Sequence, residues 1–136
     1  MVGYRLTRSE LLVRRQTQAC LNAFELKPVE FSILLLADAN PGITQRQLAE
    51  LLDVYPPNLT PVTARLASRE LLQQVRGRRD RRRQHLHLTP SGHALIAQAE
   101  QAVQRLEARL MERLGDEGQT LLDVLQRLED RLSPGS

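Results

Sequence analysis

The chain has 136 residues, enough for one domain with a core of its own. A single cysteine excludes an internal disulfide, and two tyrosines and two phenylalanines without tryptophan argue against base stacking on an aromatic platform. The net charge is only +3, but residues 76–83 hold six arginines and one aspartate, a local +5 that leaves the rest of the chain at −2.

A mildly acidic body with one basic projection is the footprint of polyanion binding, with a solvated charged loop as the alternative. The start, MVGYRLTRSE, lacks the apolar core of a signal peptide, and the longest apolar run, residues 33–37, is too short to cross a bilayer. A cytoplasmic protein without membrane contact is expected.

From the amino end, residues 5–24 read as a helix, with Leu6, Leu12, Val13, Cys20, Leu21 and Phe24 set among charged neighbours. Pro28 suits the first turn of a second helix through VEFSILLLAD, whose near-continuous apolar centre implies burial and which Asn40-Pro41-Gly42 stops. TQRQLAELLDV opens with a capping box, Thr44 and Gln47, in which each side chain satisfies the other end's free backbone N–H. Leu48, Leu51 and Leu52 are expected on one face of this short helix, with Ala49 leaving room for a close neighbour. Asp53, a residue that tolerates a left-handed backbone, precedes a further helix from about Pro56 to Arg69, apolar at Leu59, Val62 and Leu66. Two short helices around a tight turn describe a helix-turn-helix.

LLQQV and RQHLHLT read as strands on either side of the arginines, with Leu86 and Leu88 on one face and His85 and His87 on the other. The arginines would then tip a β-hairpin wing. Thr89-Pro90 begins a long helix with Leu95, Ala99, Val103, Leu106, Leu110 and Leu114 at helical spacing, ended by Gly115. The last helix carries Leu121, Leu122, Leu125, Leu128 and Leu132. The terminal helices offer more apolar stripe than a small winged helix needs to cover, and the simplest partner is a second copy. The expected fold is mainly α with a small β-hairpin wing: one domain over 1–136, with a winged helix-turn-helix lobe at 28–89 and dimerisation helices at 4–24 and 90–132.

LKPVEFSILLL, ITQRQLAELLDV, PPNLTPVTARLASRELL, DRRR and HLHLTPSG together resemble the MarR family of bacterial transcription regulators. The most specific part is the order: helix-turn-helix, then Asp80-Arg81-Arg82, then Leu88-Thr89-Pro90-Ser91-Gly92. The resemblance implies a homodimer that places two winged lobes on successive major grooves of double-stranded DNA. It also implies a small aromatic or anionic effector lodged between the dimerisation helices and the lobe. Arg82 would enter the minor groove, where narrowing concentrates negative potential, while Asp80 holds the wing together. Arg76, Arg78, Arg79, Arg81 and Arg83 would meet phosphates, which add affinity and salt sensitivity without sequence preference.

The sequence departs from the family pattern at two places. The junction into the wing is Glu70-Leu71 where Gly-Leu is common, and Pro61 stands where many members carry an arginine. Pro61 either bends the recognition helix, or Thr60 caps a shorter helix beginning at Pro61. Base contacts then fall to Asn58, which can pair with adenine, and to Pro57 and Pro61 against thymine methyls. Arg65 would meet a phosphate. With Thr44, Gln45 and Thr60, these residues make up the expected DNA-contacting set.

Other chemistry has less support. His85-x-His87 with His93 lacks the cysteine or carboxylate cluster of a metal site, so no metal or cofactor is expected. Cys20, eight residues before Pro28, reads as a buried apolar cysteine rather than a peroxide sensor, which stays open as an alternative. No nucleophile motif, glycine-rich phosphate loop or carboxylate pair points to an enzyme. A nucleic-acid-binding winged helix without sequence choice, or a module for an acidic protein partner, remains in competition with a specific regulator.

Overall fold

The computed structural model describes residues 1–80 and 82–135. Helix α1 (Val2–Leu21) runs on into a 3₁₀ turn (Asn22–Phe24), followed by α2 (Pro28–Ala39), strand β1 (Ile43–Thr44), α3 (Gln45–Leu52) and α4 (Pro56–Ser68). Strands β2 (Leu72–Arg76) and β3 (Gln84–Leu88) form the hairpin, and α5 (Pro90–Leu114) and α6 (Glu117–Leu132) complete the chain. The sheet is antiparallel in the order β1-β3-β2, with Leu72 opposite Leu88 and Arg76 opposite Gln84. Strand β1, which pairs Ile43 with Leu86, has only two residues and so no alternation for a sequence to show.

Local chemistry sets the helix boundaries. Lys27 N donates to Glu30 Oε1 (2.8 Å) just ahead of Pro28, which occupies the first turn of α2. The capping box of α3 forms in both directions, Gln47 N to Thr44 Oγ1 (3.1 Å) and Thr44 N to Gln47 Oε1 (3.0 Å). At the start of α5, Gly92 N donates to Thr89 Oγ1 (2.9 Å), and that hydroxyl donates to Glu70 O (2.5 Å). A Cβ on Gly92 would stand 2.2 Å from Leu71 O, so the helix can lie this close to the sheet only with glycine there.

Three helices end alike. Glu25, Asp53 and Glu70 are left-handed, with φ of 53°, 52° and 62°. The following amides turn back onto the last helical turns: Leu26 N to Leu21 O (3.2 Å), Val54 N to Ala49 O (3.0 Å) and Leu71 N to Leu66 O (3.0 Å). This is the Schellman closure, in which a left-handed residue lets two orphan carbonyls find donors. Glu70 therefore adopts the conformation that glycine would take more cheaply.

One core joins both halves of the lobe, built from Leu21 and Leu26 together with Ile33 and Leu34 of α2, Leu48 of α3, Leu59 and Leu66 of α4, Leu86 of β3 and Ile96 of α5. Several expectations need correction. Helix α1 begins at Val2, earlier than residue 5, with Gly3 taken into its first turn. Leu51 is 61% exposed, and Ala49 takes its place in the core, since the α3 face turned inward is centred on Leu48 and Ala49. Helix α4 runs through Pro61 rather than starting there. Cys20 is only half-buried. The apolar stripe of the terminal helices is largely uncovered within one chain: Leu6, Leu12, Val13, Leu121, Leu122 and Leu132 are exposed, and among the described residues of α6 Gly118 alone is buried.

Candidate nucleic-acid interface

Helix α4 is held by an inner face of Leu59, Thr63 and Leu66. Thr63 is a buried polar node. Its Oγ1 accepts from Gln45 Nε2 of α3 (2.5 Å) and from Gln74 Nε2 of β2 (3.4 Å), and donates to Thr60 O (3.1 Å). The hydroxyl thus ties both flanking elements to the helix, and a buried polar group satisfied in this way fixes register. Gln45, expected to face DNA, gives its amide nitrogen to that node and stays half-buried, bordering the open face between α3 and the wing. On the opposite side Pro57, Asn58, Thr60 and Pro61 are exposed along the first two turns of α4.

The amino end of α4 has an unusual chemistry. Tyr55, 69% exposed, takes the N-cap position, and Pro56 and Pro57 follow it. Neither proline has an N–H, and Asn58 N is used by Tyr55 O (2.9 Å). A helix start ordinarily offers three or four free amides to a phosphate. Here that supply is largely closed, so anions must be held by side chains.

The hairpin supplies those side chains. Its connection, residues 77–83, closes through Gly77 N to Arg83 O (2.9 Å) and Arg83 N to Asp80 O (3.1 Å). A Cβ on Gly77 would lie 2.7 Å from Asp80 O, which makes glycine necessary for the turn. Asp80 Oδ1 accepts from Arg82 N (3.0 Å) and Arg82 Nε (3.4 Å), and Oδ2 stands 3.8 Å from Arg83 Nε. Two of the arginines are thereby held at a single carboxylate, and the Arg82 side chain is still 94% exposed. Arg76, Arg78 and Arg79 are exposed as well. Arg81 lies outside the described residues.

Between the hairpin and the helix-turn-helix lies an open hollow whose lining includes Thr44, Gln45, Arg46, Pro56, Asp80, Arg82 and Arg83. It brings the wing and the amino end of α4 to one face. Arg46 and Tyr55 are additions that sequence reasoning missed. Arg46 follows the capping box directly, is 85% exposed and pairs with Glu50 at 3.5 Å, so its position after Thr44-Gln45 was the available signal.

Arg65 stands apart from this face. It lines a separate cleft with Gln18, Asn22, Leu26, Lys27, Glu30 and Arg69, bounded by the end of α1, the start of α2 and one flank of α4. Arg69, the C-cap of α4, donates Nη1 to Glu25 O (2.7 Å) and Nη2 to Phe24 O (3.3 Å) across that boundary. The three histidines tie elements together: His85 Nδ1 lies 2.9 Å from Gly42 O, the His87 ring lies close against Gly42, and His93 Nδ1 is 3.0 Å from Asp38 Oδ1.

The model of the MarR family matches residues 26–83, the span from the end of the 3₁₀ turn to the wing. The putative transcriptional regulatory protein for the hcr operon of Thauera aromatica is 33% identical over 129 residues, covering 93% of this chain and 78% of that protein. The chain belongs to the MarR family. Within it, the HTH-type transcriptional repressor Rv2887 of Mycobacterium tuberculosis is a more distant match, 28% identical over 113 residues and covering 83% and 81% of the two chains. Among solved structures, the transcriptional repressor CouR bound to a 23-mer DNA duplex is 38% identical with a TM-score of 0.89, covering 94% of this chain and 92% of that one. CouR bound to p-coumaroyl-CoA gives 34% and 0.85, covering 98% and 94%. This MarR-family chain is a DNA-binding transcriptional regulator with the mainly α winged-helix fold that its sequence implied. Among the described residues no helix is long and apolar enough to cross a membrane.

Proposed function

We propose that this MarR-family chain is a cytoplasmic homodimeric repressor that grips a pseudo-palindromic operator and lets go when a small effector binds, acting by binding alone and not by catalysis. The observation that carries the reading is the shared face on which the Asp80-closed wing stands beside the exposed start of α4. Helix α4 enters the major groove, where Asn58 pairs with adenine and Pro57 and Pro61 touch thymine methyls. Arg82 reaches into the flanking minor groove. Arg76, Arg78, Arg79, Arg81 and Arg83, with Thr44, Arg46 and the Tyr55 hydroxyl, hold phosphates.

Residues 28–89 form the reading lobe, while 4–24 and 90–132 form the pairing region. In support of pairing, α1 and α6 flank an apolar groove lined by Leu6, Val13, Leu121 and Leu125 that a second copy would fill. The effector proposed is an acyl-CoA thioester with an aromatic acyl group, by likeness to CouR. The cleft with Lys27 and Arg65 beside Leu26 offers cations for its phosphates and an apolar wall for its acyl part.

Recovery of bound genomic fragments identifies the operator, and its affinity is then measured against random duplex over a range of salt. A preference of ~10³-fold or more is expected, with Arg82→Ala weakening binding and lowering the salt slope by about one, and Asn58→Ala reducing discrimination at an almost unchanged slope. Equal affinity for operator and random duplex, or the same response from both variants, would contradict the reading.

A further inference from the structure

We propose that Arg69 is a positioning residue that fixes the angle between the reading helix α4 and the pairing helix α1, and so sets the half-site spacing that the dimer accepts. The inference rests on the paired DNA-binding reading given above. Its physical basis is the meeting of two helix ends. The guanidinium leaves the C-cap of α4 and donates to the carbonyls of Phe24 and Glu25, 45 and 44 residues away in sequence. Those carbonyls close the α1 and 3₁₀ segment, whose left-handed Glu25 turns the chain away. Carbonyls at such an end lack helical partners and carry partial negative charge, so a cation with two prongs is well matched to them.

The main packing of α4 is on α2, α3 and β2 and that of α1 on α5 and α2, with Leu21 of α1 and Leu59 and Leu66 of α4 sharing one apolar core. To that apolar packing Arg69 adds a direct polar strut from the reading helix to the end of the pairing helix. The 13 residues of α4 extend ~20 Å from the strut towards the wing. A swing of ~10° about that end displaces the far end by about 3.4 Å, the rise of one base step. Two lobes held without such play select one spacing, and two lobes with it accept several.

The test uses three operator duplexes, with the half-sites at their natural separation, one base pair closer and one base pair farther apart. Affinities of the wild type, Arg69→Met and Arg69→Lys are compared at several salt concentrations, with unfolding midpoints measured alongside. The wild type is expected to favour natural spacing by roughly tenfold, the scale of one mismatched base pair. Arg69→Met should cut that preference to about threefold or less at an unchanged salt slope, with Arg69→Lys in between because one prong survives. Should Arg69→Met fold poorly, Arg69→Lys carries the comparison.

An equal loss at all three spacings, a reduced salt slope or no change would overturn the strut, the first two outcomes pointing to a phosphate contact or general support. A wild type that prefers its operator but ignores spacing overturns it as well. A wild type with no operator preference removes the DNA reading itself and the strut with it.

Discussion

Asp80 sits among six arginines in sequence, and its carboxylate is spent on the backbone N–H and Nε of Arg82 and on the Nε of Arg83. Two effects oppose each other there. A negative charge beside phosphates weakens DNA binding, while the bonds it accepts hold a turn that would otherwise splay under its own repulsion. These bonds are exposed, worth about 1 kcal/mol together. Asp80→Ala should therefore lower operator affinity roughly fivefold even as it adds net positive charge, measured as Kd at fixed salt; a gain in affinity would show the charge to be the larger effect. Asp80 was legible because its partners lie within three positions of it. The further contacts of Gln45 and Arg65 were not, because they depend on packing across the fold. The Gln45 amide turns to a threonine 18 residues on, and Arg65 lies on the flank of α4 that faces α1 and α2.

At the scale of elements, the helix starts were readable and the helix ends were only partly so. Caps and stops are local chemistry, which is why Thr44, Thr89, Asp53 and Gly115 each sit where the sequence places a boundary. Strand β1 and the outward turn of Leu51 arise from pairing with β3 and from the packing of α3, which no local window contains. The three left-handed acidic ends carry a cost twice over, since a side chain disfavours that backbone and a carboxylate disfavours a helix carboxyl end. Glu70→Gly should raise stability by about 0.5–1 kcal/mol in chemical unfolding, the relief of strain exceeding the added chain entropy. Gly92→Ala should do the reverse. With Leu71 O only 2.2 Å from the new carbon, α5 must shift off the sheet, at about 1–3 kcal/mol.

For the molecule as a whole, the uncovered stripe decides what its stability means. Leu121 is 44% exposed in the single chain, so a polar group there leaves the chain's own core intact. Leu121→Glu should nevertheless split the proposed pair, because a two-fold interface repeats each change: two leucines lose about 1–3 kcal/mol of further burial, and two carboxylates would lose water in their place. Sedimentation at micromolar concentration should show one chain in place of two, and operator affinity should fall by ~100-fold or more as each lobe binds alone. A variant that sediments as a pair would place the contact elsewhere.

The two pyrrolidine rings at the front of the reading helix have a consequence for what the operator can say. On the docking proposed above, the rings of Pro57 and Pro61 would put hydrocarbon against the groove, so the bases beside them would be sensed by bulk on their C5 edge. To such a surface, uracil would differ from thymine more than 5-methylcytosine does, and the alphabet read there would be one of methyl groups.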